Sequence, residues 1–276
     1  MAVLQAQGAG AADKKEGVKF SGCSISAAAY MKDMAKAFEE KKGIPVEVKG
    51  GGVPVGIANT LSGKSDIGGS CRYLLDAEKK GGATSTIVGY DMLVFIVHPS
   101  NPVSSLTMDE VRKVFSGKIT NWSEVGGPKE SIIVVGRESP DAGVATMFRE
   151  KVMRGWEISK NTADFQSTGD VEKALETDQY KWGIGVTGIS SAGLRKLKML
   201  ALNVNVPNRA TFLAGSYPLA RPLYLVTKGK PEGQTKAFLD FVLSDEGQQL
   251  MAKNAFSKKE YCQRQMAMTG TCDEGK

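Results

Sequence analysis

The sequence predicts an α/β protein. Short segments rich in β-branched and aromatic residues alternate with segments of helical periodicity along the chain. Residues 91–98 form a nearly continuous apolar run, which is typical of a central strand covered on both faces. Glycine-bearing loops follow several of the predicted strands. Together these observations favour mixed sheets flanked by helices.

Composition excludes several classes of function. The 276 residues carry a formal charge of +6, with a sequence pI near 9.0. Lysine and arginine are dispersed and form no compact basic cluster, which argues against nucleic-acid binding and leaves a mild attraction for anions. No run approaches the roughly 18 apolar residues that a membrane span needs. The first 17 residues are small and polar, then charged, and we interpret them as a flexible lead that follows an export signal.

The first half of the chain alternates strands and helices. Tyr30, Met34 and Phe38 recur at four-residue spacing, and Ile57 and Leu61 do the same, so each group predicts a helix. We predict strands at residues 18–21, 44–48, 66–68 and 91–98. Loops containing Gly-Cys-Ser and Ser-Cys-Arg follow the first and third of these strands.

A short helix with strong boundary signals comes next. Thr107 and Glu110 form a capping box, in which hydroxyl and carboxylate satisfy amides of the first turn. Val111, Val114 and Phe115 then lie on one face, and Gly117 is placed to end the helix. Beyond it we predict strands at residues 132–135, 182–186 and 223–227, and helices at residues 144–152, from 170, at 235–243 and from 244.

The sequence does not indicate an enzyme or a cofactor. His98 is the single histidine, and no Ser-His-Asp or Cys-His pairing can be assembled around it. Metal-spaced His/Cys clusters and the G-x-x-x-x-G-K-[ST] phosphate loop are also missing from the sequence.

Four segments, taken together, carry a resemblance to a known family. They read FIVHPSNP, SLTMDEVRKVFSGKITNWSEVGG, YPLARPLYLV and AFLDFVLSDEGQQL. In this order and spacing the chain resembles the phosphate-binding-protein-like family, the substrate-binding proteins of phosphate-type ABC transporters, over roughly residues 18–255. The resemblance implies a two-lobed periplasmic binding protein fold (type II) with a ligand cleft between the lobes. Lobe I is expected at residues 18–97 and 217–276, and lobe II at residues 98–216.

The resemblance also implies a function. We expect an exported, periplasmic, monomeric protein that captures a small oxyanion such as phosphate and presents it to a membrane permease. Two alternatives stay open. One is a sensor or accessory protein that reports a thiophilic ligand or a redox signal through Cys23 and Cys71, and the other is a scaffold with a degenerate cleft.

The ligand loops of the family fall on three stretches of this chain. The first presents small hydroxyl residues at the start of a helix, the second follows a short strand, and the third opens the helix of lobe II. With Gly52 of a neighbouring glycine run, the implied ligand-binding residues are Cys23, Ser24, Ile25, Ser26, Gly52, Ser70, Cys71, Arg72, Arg137, Ser139, Ala142, Gly143 and Val144.

Several of these positions depart from the family pattern. Cys71 stands where the family has a serine or a proton-accepting aspartate, and Ala142-Gly143-Val144 stands for its Ser-Gly-Thr. Arg72 either anchors an anion or forms a structural ion pair. Arg137 matches the arginine of the family's G-R-[DE] loop, with a salt bridge to Glu138 or Asp141 as the alternative.

The four cysteines fall into two pairs. For Cys23 and Cys71 we consider three states: packed thiols, a disulfide between the two loops, or contact with a soft ligand. Cys262 and Cys272 lie in a polar tail and are a candidate disulfide in an oxidising compartment.

Overall fold

A computed structural model describes residues 17–272. Apart from Gly17, the predicted N-terminal lead lies outside the described residues. Eleven strands lie within that range: β1 Val18–Gly22, β2 Val46–Lys49, β3 Ile67–Ser70, β4 Ala83–Val97, β5 Ser105–Leu106, β6 Ile133–Arg137, β7 Thr162–Phe165, β8 Gly183–Gly188, β9 Lys198–Met199, β10 Ala201–Leu202 and β11 Ala220–Lys228.

Helices alternate with these strands, which confirms the predicted α/β class. They are α1 Ser24–Ser26, α2 Lys32–Lys42, α3 Val53–Leu61, α4 Asp76–Lys80, α5 Met108–Phe115, α6 Gly143–Phe148, α7 Thr168–Leu175, α8 Ile189–Ala192, α9 Arg209–Leu213, α10 Gly233–Leu243, α11 Asp245–Asn254 and α12 Lys258–Thr269. A π-helical turn at Ala27–Met31 joins α1 to α2, and another at Arg149–Met153 extends α6. None of the described helices is both long enough and apolar enough to cross a bilayer.

Strand β4 belongs to two sheets. Its first part, up to Met92, pairs antiparallel with β11 in the order β2-β1-β3-β11-β4. Its last part, from Leu93 to Val97, pairs antiparallel with β8, beyond which lie β6 and β7. The pairing therefore changes sheets at Met92 and Leu93. The lobe boundary that we expected at residues 97 and 98 remains a proposal, as does the one at residues 216 and 217.

The length of β4 differs from the prediction. The apolar run predicts a strand at residues 91–98, whereas the strand begins at Ala83. The first eight residues include Thr84, Ser85 and Thr86, which are exposed or half-buried and pair with β11. Polar positions hide this half of the strand from a search for apolar runs, although it pairs with β11 at every residue except Val88, where the register shifts.

The predicted capping box is present at α5. The amide of Thr107 donates to Glu110 Oε2 at 2.7 Å, and the amide of Glu110 donates to Thr107 Oγ1 at 3.2 Å. Val111, Val114 and Phe115 are buried, so the expected face of the helix meets the core. Both parts of this local prediction are confirmed.

The C-terminal segment is a helix rather than a loop. Ser257 and Glu260 cap α12, and Cys262 and Cys272 form the predicted disulfide, with Cα atoms 5.0 Å apart. Arg264 of α12 donates to the carbonyl oxygens of Phe212 at 2.6 Å and Tyr217 at 2.8 Å. The helix therefore braces the segment by which the chain returns to β11.

That returning segment is tied to β4 as well. Tyr217 is fully buried, and its hydroxyl donates to the carbonyl of Leu93 at 3.0 Å. The amide of Leu93 donates to the carbonyl of Leu219 at 3.0 Å. The two passages of the chain between the sheets thus lie side by side and are joined by hydrogen bonds.

Close packing of α3 on β1 depends on one glycine and gives the first prediction. An added Cβ at Gly56 would lie 2.4 Å from Gly22 Cα and 2.6 Å from the Ser21 carbonyl oxygen. Because both are backbone atoms, we expect Gly56→Ala to lower the free energy of unfolding by about 1–3 kcal/mol, measured by urea denaturation.

Gly169→Ala is the matched control. Gly169 also lies in a helix, α7, but its added Cβ would meet nothing nearer than Ser167 Oγ at 3.6 Å. There the better helix propensity of alanine should leave stability unchanged or raise it by up to about 1 kcal/mol. Equal losses in the two variants would contradict close packing at Gly56.

Candidate functional site

Two buried cysteines meet at the carboxyl edge of the first sheet. β1 and β3 are parallel neighbours with Gly22 opposite Gly69, so the residues that follow them meet at one edge. The Sγ atoms of Cys23 and Cys71 lie 3.1 Å apart, and neither cysteine is in a disulfide. The topology thus brings together the first two of the three predicted ligand loops.

Glycines allow this close approach. An added Cβ at Gly22, where φ is +141°, would lie 2.5 Å from the backbone nitrogen and oxygen of Gly69. The amide of Cys23 donates to the Gly69 carbonyl at 2.9 Å. The turn after β1 is therefore held against β3 by backbone contacts, and this fixes the position of Cys23.

The pKa values of the two thiols are shifted in opposite directions. A hydrogen bond from Cys71 lowers the pKa of Cys23 from its ordinary value near 9.0 to about 6; burial opposes this change and the nearby cation of Arg221 adds to it. The same hydrogen bond, together with burial, raises the pKa of Cys71 well above its ordinary value. Of the two thiols, Cys23 therefore loses its proton first, and its thiolate is favoured by the hydrogen bond to Cys71 and by the Arg221 cation.

Arg221 forms a fully buried ion pair beside the cysteines. It stands opposite Asp91 in the register of β11 and β4, and its Nη2 donates to Asp91 Oδ2 at 2.7 Å. Asp91 Oδ1 accepts from the amide of Ser190 at 3.1 Å. Burial lowers the pKa of Arg221, but the charges of Cys71, Asp91 and Cys23 outweigh it and the net shift is upward.

Part of the Arg221 guanidinium remains unpaired. Its Nε and Nη1 are buried and have no hydrogen-bond partner among residues 17–272. The hydroxyls of Ser26 and Tyr30 share this property, and both residues are almost fully buried. Because an unsatisfied buried donor costs about 1–3 kcal/mol, several such groups beside one cysteine pair indicate a binding site.

Arg137 approaches from the second sheet. It ends β6 and is half-buried, and its Nε and Nη1 have no hydrogen-bond partner within the described part of the chain. An added Cβ at Gly52 would lie 3.7 Å from Arg137 Nη2, so the guanidinium reaches the glycine loop of the opposite sheet.

Among the residues that the structure describes, the charges around Arg137 do not pair with it directly. Burial lowers the pKa of Arg137, while Asp170, Cys71 and Cys23 act in the opposite direction. The alternative salt bridge to Glu138 or Asp141 does not occur among residues 17–272.

Arg72 is engaged elsewhere. Its Nη1 and Nη2 donate to the two carboxylate oxygens of Glu78 at 2.9 and 2.7 Å, and its Nε donates to the Asp141 carbonyl at 2.9 Å. Nη1 also donates to the carbonyl of Tyr73 at 2.7 Å. Of the two roles considered for Arg72, the structure shows the ion pair, which leaves little of the guanidinium for a ligand.

The third predicted loop packs directly on the cysteines. An added Cβ at Gly143, the first residue of α6, would lie 2.4 Å from Cys71 Sγ. Ala142 and Val144 are buried beside it. The carbonyl oxygen of Ser139 accepts a hydrogen bond from the amide of Ala142 at 3.2 Å. Neither Ala142 nor Cys23 caps its helix with a side chain. The starts of α1 and α6 therefore both adjoin the cysteine pair, and neither has a side-chain cap.

The remaining predicted residues are divided between the site and its support. Ser24 lies in the first turn of α1 near Gly50, and Ile25 packs in the core. Ser70 donates its hydroxyl to the carbonyl of Arg72 at 2.7 Å, so it supports the turn after β3. Sequence reasoning missed Arg221, Asp91 and Tyr30 as site residues, although Arg221 stands in the quoted YPLARPLYLV segment.

A cavity of ≈ 360 Å³ lies next to this region, within the second sheet and its helices. Arg137 and Gly136 contribute to its wall, but most of its lining is apolar, including Phe115, Val144 and Phe148. It lies behind Arg137 rather than between the two sheets. We therefore do not include it in the candidate site.

Comparison with known proteins identifies the family. The sequence matches the family described as PBP superfamily domain over residues 6–246. It is 28% identical to the phosphate-binding protein PstS of Borreliella burgdorferi over 74% of this chain and 76% of that protein. It is 29% identical to the PstS of Staphylococcus saprophyticus over 94% of this chain and 87% of that protein. The chain therefore belongs to the PBP superfamily domain family.

A solved structure agrees with this assignment. The structure named as a phosphate ABC transporter substrate-binding protein with bound phosphate, from Clostridium perfringens, is 30% identical and superposes with a TM-score of 0.79. The similarity covers 88% of this chain and 99% of that one. The expected two-lobed binding-protein fold and the family resemblance are both confirmed.

The acidity of Cys23 predicts a pH dependence of stability. Between about pH 6 and pH 9 the folded chain holds a thiolate, whereas the unfolded chain holds a protonated thiol. The unfolded state binds more protons there, so this group makes the free energy of unfolding rise with pH, and its contribution is lost as pH falls through about 6. We expect the difference in unfolding free energy between the natural chain and Cys23→Ser to grow over that window in urea titrations. A difference that stays flat from pH 6 to 9 would contradict a Cys23 thiolate.

Gly188 gives a prediction for the ion pair. An added Cβ there would lie 2.0 Å from Asp91 Oδ2 and 2.6 Å from Arg221 Nη2. Gly188→Ala should therefore displace a fully buried charge pair and destabilise the fold by about 3 kcal/mol or more in urea denaturation. Gly193→Ala is the control, since its added Cβ would approach nothing nearer than the Ile189 carbonyl at 3.4 Å. Similar stability of the two variants would sink this account of the pair.

Proposed function

We propose that this member of the PBP superfamily domain family is an extracytoplasmic solute-binding protein that captures a small oxyanion between its two lobes. The observation that carries the proposal is the pair Arg137 and Arg221. They come from opposite sheets, flank the same cysteine pair, and keep unpaired N–H groups within the described residues. Relatives from several bacteria are named phosphate-binding proteins.

The surrounding backbone suits an anion. Amide groups in the first turn of a helix have no intrahelical acceptor, and the helix dipole adds positive potential there. The helical segments that begin at Ser24 and Gly143 lack side-chain caps, so a ligand admitted by opening of the cleft would supply the acceptor that these amides lack. Oxyanion oxygens placed between these segments and the two arginines would satisfy donors that are otherwise unpaired.

Phosphate is our first candidate ligand, with weaker binding than the family pattern would give. The hydroxyls expected beside Gly143 are replaced by Ala142 and Val144, and Cys71 stands where a proton acceptor is expected. Asp91, the buried carboxylate at the site, is already paired with Arg221. Each neutral hydrogen bond lost costs about 0.5–1.5 kcal/mol. The ligand could therefore be another oxyanion of similar size.

The topology suggests how the cleft opens. Two chain passages connect the sheets, one through β4 at Met92 and Leu93, the other through Tyr217 to Ala220. Rotation about these passages would separate Arg137 from Gly52 and admit the ligand, as in hinge closure around ligands. In this role the protein would act as a monomer, outside the cytoplasm, and deliver its ligand to a membrane permease without chemical change.

Replacement of Arg137 tests the proposal. We expect Arg137→Ala to weaken phosphate binding by about 10- to 100-fold in isothermal titration, because charge-assisted hydrogen bonds to the anion are lost. Lys36→Ala removes the same charge from an exposed helix position and should leave affinity unchanged. Failure of the natural chain to bind phosphate, sulfate, arsenate or molybdate would contradict oxyanion capture and favour a scaffold role.

A further inference from the structure

We propose that Cys23 and Cys71 form a dithiol site that binds trivalent arsenic, presented as arsenous acid, in the same cleft. Their sulfurs lie 3.1 Å apart, both side chains are buried, and the carboxyl ends of two parallel strands fix their positions. The proposed oxyanion capture rests on Arg137 and Arg221 rather than on a thiol, so this inference goes beyond the proposed function while sharing its cleft.

The sulfur separation selects the geometry of the bound centre. A metal ion held linearly between two thiolates needs sulfurs about 4.6 Å apart, twice a metal–sulfur bond of about 2.3 Å. Two bonds of that length that meet near a right angle need about 3.3 Å, close to the observed separation. A pyramidal centre such as trivalent arsenic therefore fits this pair, whereas linear copper(I) would require the loops to move apart.

The number of ligand atoms at the site also favours trivalent arsenic. Zinc in structural sites takes four protein ligands. Among residues 17–272 there is no group of three or more histidine, cysteine, aspartate or glutamate side chains that could hold a metal ion. Met31 and Met34 are fully buried within the core cluster of side chains. A ligand that needs only two sulfurs and keeps one oxygen of its own matches this site better.

Unpaired hydroxyl and guanidinium groups would receive that oxygen. Ser26, Tyr30 and Arg221 are each at least nine-tenths buried, and the Ser26 and Tyr30 hydroxyls and the Arg221 Nε and Nη1 have no partner among the described residues. Ser26 and Tyr30 follow Cys23 in α1 and the π-helical turn, and Arg221 lies on β11, which pairs with the end of β3 just before Cys71. The electrostatic effect of the two thiols on Tyr30 and Arg221 agrees with this placement. An oxygen bound to arsenic could accept hydrogen bonds from them and remove the cost of leaving them unpaired.

The binding step is a condensation without electron transfer. As(OH)₃ and two thiols give a bis-thiolate As–OH and two molecules of water: two As–O bonds break, two As–S bonds form, and each thiol proton leaves in a water molecule. The thiolate is the nucleophile in such a step. The Cys23 thiolate would attack first, and the hydroxide that it displaces would leave as water with a proton taken from solvent, where Cys23 had released its own. The proton held by Cys71 would leave with the second hydroxide.

Titration of the full chain with sodium arsenite tests the site. The protein is kept in a phosphine reductant, because thiol reductants would themselves bind arsenic. Isothermal titration and native mass spectrometry should show one arsenic per chain with loss of water. We expect Cys23→Ser and Cys71→Ser each to lower arsenite affinity by more than about 100-fold, since loss of a supporting residue alone costs 10- to 100-fold at metal sites.

The second cysteine pair supplies the control. Reduction could open the disulfide between Cys262 and Cys272 and create another dithiol. A Cys262→Ser/Cys272→Ser double variant should therefore keep full arsenite affinity. If it loses binding and the single variants at positions 23 and 71 do not, the proposal is wrong. It is equally wrong if reduced natural protein shows two free buried thiols but binds no arsenite.

Phosphate titrations of the same variants separate this inference from the proposed function. Phosphate binding without arsenite binding would overturn the dithiol site and leave oxyanion capture intact. Arsenite binding that survives in Arg137→Ala, with no phosphate binding in the natural chain, would support the dithiol site and overturn oxyanion capture. Cooperative unfolding of Cys23→Ser and Cys71→Ser in urea would also show that the variants fold, so that lost arsenite binding reports on the site.

Discussion

The buried pair of Asp91 and Arg221 is the interaction on which the rest of the structure depends. It joins β4 to β11 one residue before the pairing of β4 changes from one sheet to the other. A charge pair removed from water tolerates the loss of neither partner, because the remaining charge would be stranded in a medium of low polarity. Gly188 and the amide of Ser190 enclose it from the side of the second sheet. Asp91 and Arg221 therefore both connect the lobes and form part of the candidate site.

The three arginines of the region show how context assigns a role to one residue type. Arg72 donates four hydrogen bonds, two to Glu78 and two to carbonyl groups, so it fixes the turn that presents Cys71. Arg221 donates one hydrogen bond, to Asp91, and its Nε and Nη1 have no partner among residues 17–272, as is also true of Nε and Nη1 of Arg137. The arginine with the most hydrogen bonds, Arg72, therefore supports the fold, whereas Arg221 and Arg137, which keep unpaired nitrogens, are the candidates for anion binding. This contrast is drawn without reference to any relative.

Much of the fold could be predicted from local signals, because those signals act over a few residues. The cap of α5 by Thr107 and Glu110 is one example, and the buried face of that helix is another. The buried ion pair of Asp91 and Arg221 could not be predicted from such local signals. Asp91 and Arg221 are 130 positions apart in the chain and meet through the register of two strands. Arg221 also lies in the largely apolar segment YPLARPLYLV, and the sequence pattern of this strand does not distinguish an arginine at the site from one that faces solvent. The helix α12 was missed for a related reason, since its buried face consists mainly of Arg264 rather than of an apolar stripe.

The contact between Gly143 and Cys71 has a consequence for how such a chain can change over generations. The sulfur of Cys71 occupies the volume that any side chain at position 143 would need. A hydroxyl-bearing or larger residue can be accepted at 143 only after position 71 has become smaller or its loop has shifted. The constraint therefore acts in one direction: position 71 can differ while Gly143 is kept, whereas a side chain at position 143 requires a prior change at position 71.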